Sequence, residues 1–595
     1  MTNNGYQLGP WRLDDLFSGL DSPAIEEALA QLNRDVDLFA AKRDQLAPDM
    51  DGAAFRALLD EYDALSRQAS RTIGFAGLSF AADTQNPQAQ NLMARMQQLG
   101  AELDNRSMFF KLWWKWLEDG AAERLMDAAG PYRYWLEQLR LQKPHTLSEA
   151  EERIINLKDV NGVNALNTLY DAITNRYTFR LEVDGEETEL TRGELGVYYR
   201  HPDPELRAAA FQELLQVYRE DELITGQIYQ AIVRDWASEQ LKLRNYGSPL
   251  AARNLANDIP DDVVDTLLEV CRANAPLFQR YFQLKARWLG MEKLRRYDIY
   301  APIDESDKEY PFADGVAMVL ESYHEFEPRA AALARRVIDE QHLDSEVRRG
   351  KRGGAFCATL APDLTPWVLQ SYQGQAEDVA TLAHELGHAV HSMLAEHHPA
   401  LTQHSSLPLA ETASTFGEML LIDRLLAQDP DPGVQRSILF KQMDDAYATI
   451  MRQSFFALFE RRAHELIASG APIDAVSEAY LENLQEQFGD AVELSDDFRH
   501  EWLAIPHFYT SPFYVYAYAF GQLLVLALYQ QYLEEGESFK PRYLEILGAG
   551  GSDAPVRILE RAGISIHDGA FWQGGFDVLA ELVERLEQLP APQGV

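Results

Sequence analysis

Residues 378–398, DVATLAHELGHAVHSMLAEHH, place two histidines four apart around a glutamate, and this string decides both the fold and the chemistry. Val379, Leu382, Leu386, Val390, Met393 and Leu394 recur at helical spacing, and Asp378 stands where a cap is wanted, so the segment is expected to be a helix. Side chains four apart share one helix face, with Cβ atoms about 5–6 Å apart, so His384 and His388 can each aim a ring nitrogen at one ion about 2.0–2.1 Å away. Glu385, one residue round, can point its carboxylate at a water on that ion and take its proton. The pattern predicts one Zn2+ per chain, with Glu385 as general base.

A hydrolytic zinc site needs a third protein ligand and an open position. Spacing alone leaves that ligand open. His391 lies on the same helix face and suits a role behind the ligands, whereas His397, His398 and His404 read as surface or packing residues. Glu411 heads ETASTFGEML, which continues at helical spacing and could return antiparallel to the first helix.

HELGHAVH at 384–391 followed by ETASTFGE at 411–418 resembles the thimet oligopeptidase clan of zinc metallopeptidases, in its bacterial oligoendopeptidase F branch. The resemblance implies Glu411 as the third ligand and matches Glu418 to an acidic position that could orient a histidine ligand or be a plain helix charge. KRGGAFC at 351–357, IPHFYTSPFYVYAYAFG at 505–521 and LGAGGSDAPVRILERAGI at 547–564 are of the same family type. It further implies a mainly α, large helical metallopeptidase with a deep substrate channel and a small antiparallel β insertion near the zinc helix. The implied activity is zinc-dependent cleavage of internal bonds in short unfolded peptides.

The flanking segments have physical readings of their own. Peptide hydrolysis passes through a tetrahedral oxyanion, so neutral donors beside a metal are useful. His507, Tyr509, Tyr514, Tyr516 and Tyr518 supply them; the resemblance makes His507 and one or two tyrosines substrate contacts, with Tyr514 and Tyr516 preferred to Tyr518. Gly353 and Gly354, ahead of Ala355 and Phe356, let a backbone approach closely, and a peptide could add as a strand there, with Tyr509 as a further contact. Arg348, Arg349, Lys351 and Arg352 form a basic cluster that could meet a peptide carboxylate or simply be solvated. GAGGS at 548–552 lacks the Gly-Lys-Ser/Thr of a phosphate loop and reads as a flexible loop.

Working outward, most of the chain has helical period. DSPAIEEALAQLNRDVDLFAAKRDQL opens with Ser22 as N-cap and Pro23 at the first helical position, and helix is expected through the first hundred residues. The aromatic run Phe109 to Trp116 is expected to pack in a core. TFRLEVDGEETELTR, 178–192, alternates around Asp184-Gly185 and predicts a hairpin. RRYDIYAPI, 295–303, and PWVLQSYQ, 366–373, are expected to form a second strand pair. Domains are placed at 1–195, a helical region forming one channel wall, and 196–595, the catalytic region.

Composition narrows the partners. The chain has 595 residues with 54 Lys+Arg against 93 Asp+Glu, a formal charge of −39. Such a field repels polyanions, which argues against nucleic acid and anionic membranes. Two cysteines suit a reducing compartment, no export signal is evident, and the most apolar stretch, 514–529, is short of the roughly 20 residues a span requires. A cytoplasmic enzyme acting on short peptides, as a monomer or small homo-oligomer, is expected. Two other functions stay open: a carboxypeptidase that grips a C-terminal carboxylate, and a non-catalytic peptide-binding protein with a structural zinc.

Overall fold

In the computed structural model, which describes residues 5–303 and 308–591, the chain folds as two compact units, each assembled from three stretches. The first comprises residues up to 143, 308–428 and 531–565; the second comprises 144–303, 429–530 and 566–591. Residue 195 lies inside a short helix, Arg192–Val197, of the second unit.

The first unit opens with the expected helices, Pro23–Ala40, Gly52–Ala82 and Pro87–Trp116. Ser22 is the N-cap of the first, although its side chain makes no cap hydrogen bond. Phe39, Phe55, Tyr62, Phe110 and Trp114 are buried together where these helices meet. Removing each such side chain from water contributes roughly 1.5–3 kcal/mol. Phe110 stacks on Trp135 at 6.2 Å between ring centres, and Trp114 donates its indole N–H to the Leu136 carbonyl at 2.8 Å. Phe109, Phe110, Trp113 and Trp114 of the aromatic run pack in this core, as expected, whereas Trp116 is 49% exposed.

A three-stranded sheet follows in this unit. Trp367–Leu369 is central, parallel to Leu343–Asp344 and antiparallel to Phe356–Ala358. The N-terminal segment straps across it: Ser345 N–H donates to Gly9 O at 3.0 Å and the Trp367 indole to Arg12 O at 2.8 Å. The helix carrying HELGH, Ala376–Leu394, buries Val379, Leu382, Ala383, Leu386, Ala389, Val390 and Met393. Its N-cap is Gln375, not Asp378. Asp378 caps from inside the first turn, its carboxylate accepting the N–H groups of Gln373 and Gln375 at 2.9 Å each.

The second unit holds the predicted hairpin, Phe179–Val183 paired with Glu186–Leu190. Asp184 and Gly185 turn it with φ of 54° and 82°, the two positive values that a tight two-residue turn requires. The second expected pair does not form. Trp367–Leu369 pairs within the first unit, while Leu294–Arg295 pairs in parallel with Val492–Glu493. The chain after Arg295 turns into a single helical turn, Arg296–Asp298. Buried ion pairs account for this: Arg296 meets Glu501 at 2.7 Å, and Asp298 meets Arg207 at 2.8 Å and Arg295 at 2.6 Å. Such charges demand partners once desolvated, and the turn supplies them. The apolar stretch 514–529 is internal to the fold except near Tyr518. Among the described residues no helix is long and apolar enough to cross a membrane.

Candidate metal centre

His384 and His388 share one face of the Ala376–Leu394 helix, and Glu411 meets them from the turn before the helix Ser414–Gln428. The sequence reading put Glu411 at the head of that helix; it lies three residues earlier, where Ser414 Oγ donates to Glu411 Oε2 at 2.7 Å. Gly387 allows this approach. A Cβ there would stand 2.6 Å from both Ala413 O and Ser414 Cα, so the backbones of the two elements touch where His388 and Glu411 converge.

The three side chains are arranged for a cation. His384 Nε2 is 3.2 Å from His388 Nε2, and Glu411 Oε2 is 3.4 Å from each. Tetrahedral ligand atoms 2.0–2.1 Å from a common ion stand about 3.3–3.4 Å apart, so the spacing fits zinc-class coordination. Glu418 Oε1 lies 2.5 Å from His384 Nδ1. With a cation in place of the Nε2 proton, that bond would keep the remaining proton on Nδ1.

Charge fits as well. Burial works against the His384 imidazolium, yet the Glu418 hydrogen bond and the charges of Glu418, Glu411 and Glu385 lift its pKa to about 9. Burial likewise opposes ionisation of Glu411, but hydrogen bonds from His388 and Ser414, with the charge of His384, hold its carboxyl at about 2. An excess of acceptors in a half-enclosed site is what a dication neutralises.

Glu385 is only 6% exposed, and its Oε2 is buried without a hydrogen-bond partner. Burial pushes its pKa up, opposed by the two histidines and reinforced by Glu411 and Glu418. A carboxylate raised toward neutrality suits proton transfer. His391 is buried, hydrogen-bonded to the Ala410 carbonyl, and held at about 4 chiefly by burial, so it is neutral. His398 bonds the Gly548 carbonyl at 2.9 Å, a packing role.

A cleft of 420 Å³ contains His384, Glu385, His388 and His391 together with Ala355, Phe356 and Cys357. Its lining also includes the polar side chains of Thr359, Ser392, Gln403, His404 and Ser405. Phe356–Ala358 is an edge strand, paired on one side only within its sheet. Gly353 and Gly354 precede it with open space beside both Cα atoms, and Gly354 has φ of 81°. Burial and the nearby Glu385 carboxylate push the Cys357 thiol well up, and Cys357 does not belong to the group of converging His384, His388 and Glu411 atoms.

Several expectations are corrected. The basic cluster is largely engaged inside the fold: Arg348 and Lys351 contact the Asp344 carboxylate at 2.6 and 2.8 Å, and Lys351 also donates to three backbone carbonyls. GAGGS is held rather than loose. Gly551 N–H donates to Thr402 O at 3.0 Å, and its bare Cα lies against the His404 carbonyl. In the second unit, Tyr509 and Tyr516 are fully buried, which withdraws both from direct substrate contact. Tyr509 stacks on Tyr170 at 3.8 Å, and the Tyr516 hydroxyl meets Asn257 Nδ2 at 2.9 Å. The partly open cluster is His507, Tyr514 and Tyr518, with His507 Nε2 3.3 Å from the Tyr518 hydroxyl and the two tyrosine rings 5.3 Å apart.

The supporting role of Ser414 was not foreseen. The signal was its position three after Glu411, the spacing at which a hydroxyl reaches back to the side chain before a helix. Two other groups could be taken for metal sites. Asp15, Glu340 and His342 lie together, but His342 pairs with Asp15 and Glu340 with Arg336, each at 3.2 Å. Asp159, Asp235 and Glu239 are acidic only.

Two histidines one helical turn apart, a carboxylate brought in from another element and a buried glutamate beside them define a metallopeptidase. The chain belongs to Peptidase family M3, whose profile matches residues 197–577, and the Oligopeptidase F profile matches 114–179. It is 28% identical over 542 residues to Group B oligopeptidase PepB of Streptococcus agalactiae, covering 89% of this chain and 88% of that one. It is 25% identical over 594 residues to oligopeptidase PepF of Bacillus subtilis, covering 97% and 87%. The structure of oligoendopeptidase-F from Enterococcus faecium superposes with a TM-score of 0.68 at 25% identity, covering 97% of this chain and 99% of that one. A Chlamydophila abortus structure shares the fold with a TM-score of 0.89 at 24% identity, covering 98% and 100%.

Proposed function

We propose that this metallopeptidase is a zinc endopeptidase that cuts internal bonds of short, unfolded peptides in the cytoplasm. The observation that carries the reading is the convergence of His384, His388 and Glu411 acceptors at 3.2–3.4 Å beside the unpartnered Glu385 carboxylate oxygen. Two imidazoles and one carboxylate are a donor set suited to Zn2+ with an open position. The ion, when bound, supplies the Lewis acid that acidifies water and polarises the scissile carbonyl. Glu385 takes the proton of the attacking water and returns it to the leaving amine. Glu418 and His391 hold the ligand side chains in register. The open side of the Phe356–Ala358 strand receives the peptide backbone, with Gly353, Gly354 and Ala355 leaving room for it. By the resemblance, His507 and one or two tyrosines donate hydrogen bonds to the developing oxyanion; Tyr514 is the preferred tyrosine that stays partly open, with Tyr518 beside it. Two cysteines without a disulfide, Cys271 and Cys357, agree with a reducing compartment. The engagement of Arg348 and Lys351 with Asp344 speaks against a carboxylate grip and hence against the carboxypeptidase alternative.

The test is mass reading of cut positions in a peptide pool that includes C-terminally amidated members. Internal cuts in amidated peptides are expected, abolished by a chelator. Glu385→Gln should retain the metal while turnover falls by several powers of ten, as for a proton-transfer group acting beside a metal. Stepwise release of single C-terminal residues, blocked by amidation, would establish the carboxypeptidase instead.

A further inference from the structure

Glu460 and His464 sit one turn apart on the helix Arg452–Ala468, 0% and 3% exposed, and no step above uses them. Burying a carboxylate is costly unless it meets a donor. Glu460 Oε1 has one: the backbone N–H of Phe513 at 3.0 Å. Its Oε2 and both ring nitrogens of His464 have no partner. The carboxyl is pushed up to about 8, chiefly by burial, which the Phe513 N–H and Arg253 only partly offset.

Phe513 has φ of 59°. For a bulky residue this left-handed conformation is an outlier that persists only when its surroundings impose it. Three contacts do so. Glu460 holds the N–H, the His464 ring packs 4.6 Å from the Phe513 ring, and Arg253 Nε donates to the preceding Pro512 carbonyl at 3.3 Å. The next residue is Tyr514. Its ring lies 5.9 Å from the Arg253 guanidinium carbon and is parallel to the His507 ring to within 1°, with the ring centres 6.2 Å apart.

We propose that Glu460 and Arg253 are positioning residues that clamp the 512–513 backbone so that Tyr514 is aimed for catalysis. The proposal rests on the role given to Tyr514 above. Without the clamp, Phe513 relaxes to a negative φ and the ring that follows swings away. The buried carboxylate is then explained by the single N–H it captures.

The experiment combines kinetics with a probe of Tyr514 that does not depend on activity. Glu460→Ala and Arg253→Met are made in the wild-type and Tyr514→Phe backgrounds, and kcat and KM are measured on a quenched fluorescent peptide. Each is expected to lower kcat about tenfold to a hundredfold in wild type, the scale for a misplaced catalytic group, and to add nothing in Tyr514→Phe. Glu460→Gln, whose amide oxygen can still accept the Phe513 N–H, should retain kcat within about twofold. A 19F label on a fluorotyrosine at 514 should shift or broaden in Glu460→Ala and Arg253→Met but not in Glu460→Gln. Arg253 is only half-buried, so its variant folds even if Glu460→Ala does not. An unmoved 19F signal in both, or equal kcat losses in both backgrounds, overturns the clamp. Full activity of Tyr514→Phe with a moved 19F signal leaves the clamp standing and instead removes Tyr514 from the reaction.

Discussion

Glu418 touches His384 Nδ1 and sits outside the ligand triangle, so its effect is on orientation and basicity rather than on direct coordination. Glu418→Ala frees the ring to rotate and lets the proton move to Nε2, where it blocks the metal. Metal affinity is expected to fall about 10- to 100-fold, read by competition with a chromophoric chelator. Unchanged affinity would mean that the ring is held by helix packing alone. At this scale much was legible: a histidine pair four apart and the glutamate between them need only helix geometry. Which tyrosine is accessible was not. Tyr514, Tyr516 and Tyr518 are equivalent by composition, yet Tyr516 is buried at the start of the Tyr516–Glu535 helix while Tyr514 is partly open and Tyr518 exposed.

Among elements, the decisive contact is between the Ala376–Leu394 helix and the turn before Ser414–Gln428. Gly387→Ala places a methyl 2.6 Å from two backbone atoms that cannot rotate away. The turn carrying Glu411 must shift, at a cost of roughly 1–3 kcal/mol typical of overpacking. A lower Tm together with weaker metal binding is expected. Gly353→Ala, which meets nothing within 4 Å, should leave Tm unchanged and serves as the control. Long amphipathic helices were readable from period, and so was the hairpin at Asp184-Gly185. The pairing of short strands was not: three-residue strands such as Trp367–Leu369 carry no alternation, and their partners are chosen by packing.

At the scale of the whole molecule, the candidate metal centre occupies one site in a unit held by apolar packing, through aromatic residues such as Phe55, Phe110 and Trp114 and through the buried face of the Ala376–Leu394 helix itself. Chelation is therefore expected to abolish peptide cleavage while far-UV circular dichroism is retained, with activity restored by stoichiometric Zn2+. Unfolding free energy should fall only as mass action on one site predicts, by about a few kcal/mol relative to saturating metal, with a corresponding modest drop in Tm. Unfolding on chelation would favour the structural-zinc alternative. The chain is ordered by long-range closure, each unit drawing on three separated stretches. No local pattern announces such boundaries, because a contiguous helix reads alike whichever core it joins.

The amino-acid order alone determined that this chain is mainly helical and that His384, Glu385 and His388 stand within about one turn of each other on one helix, because each follows from periodicity within a few residues. The third acceptor, the bond that turns His384, the edge strand beside the cleft and the burial of Tyr509 and Tyr516 were decided by the tertiary structure. Each depends on segments distant in sequence meeting at ångström precision, and that meeting is set by packing, with bare-backbone contacts such as the one at Gly387 fixing how close the elements come.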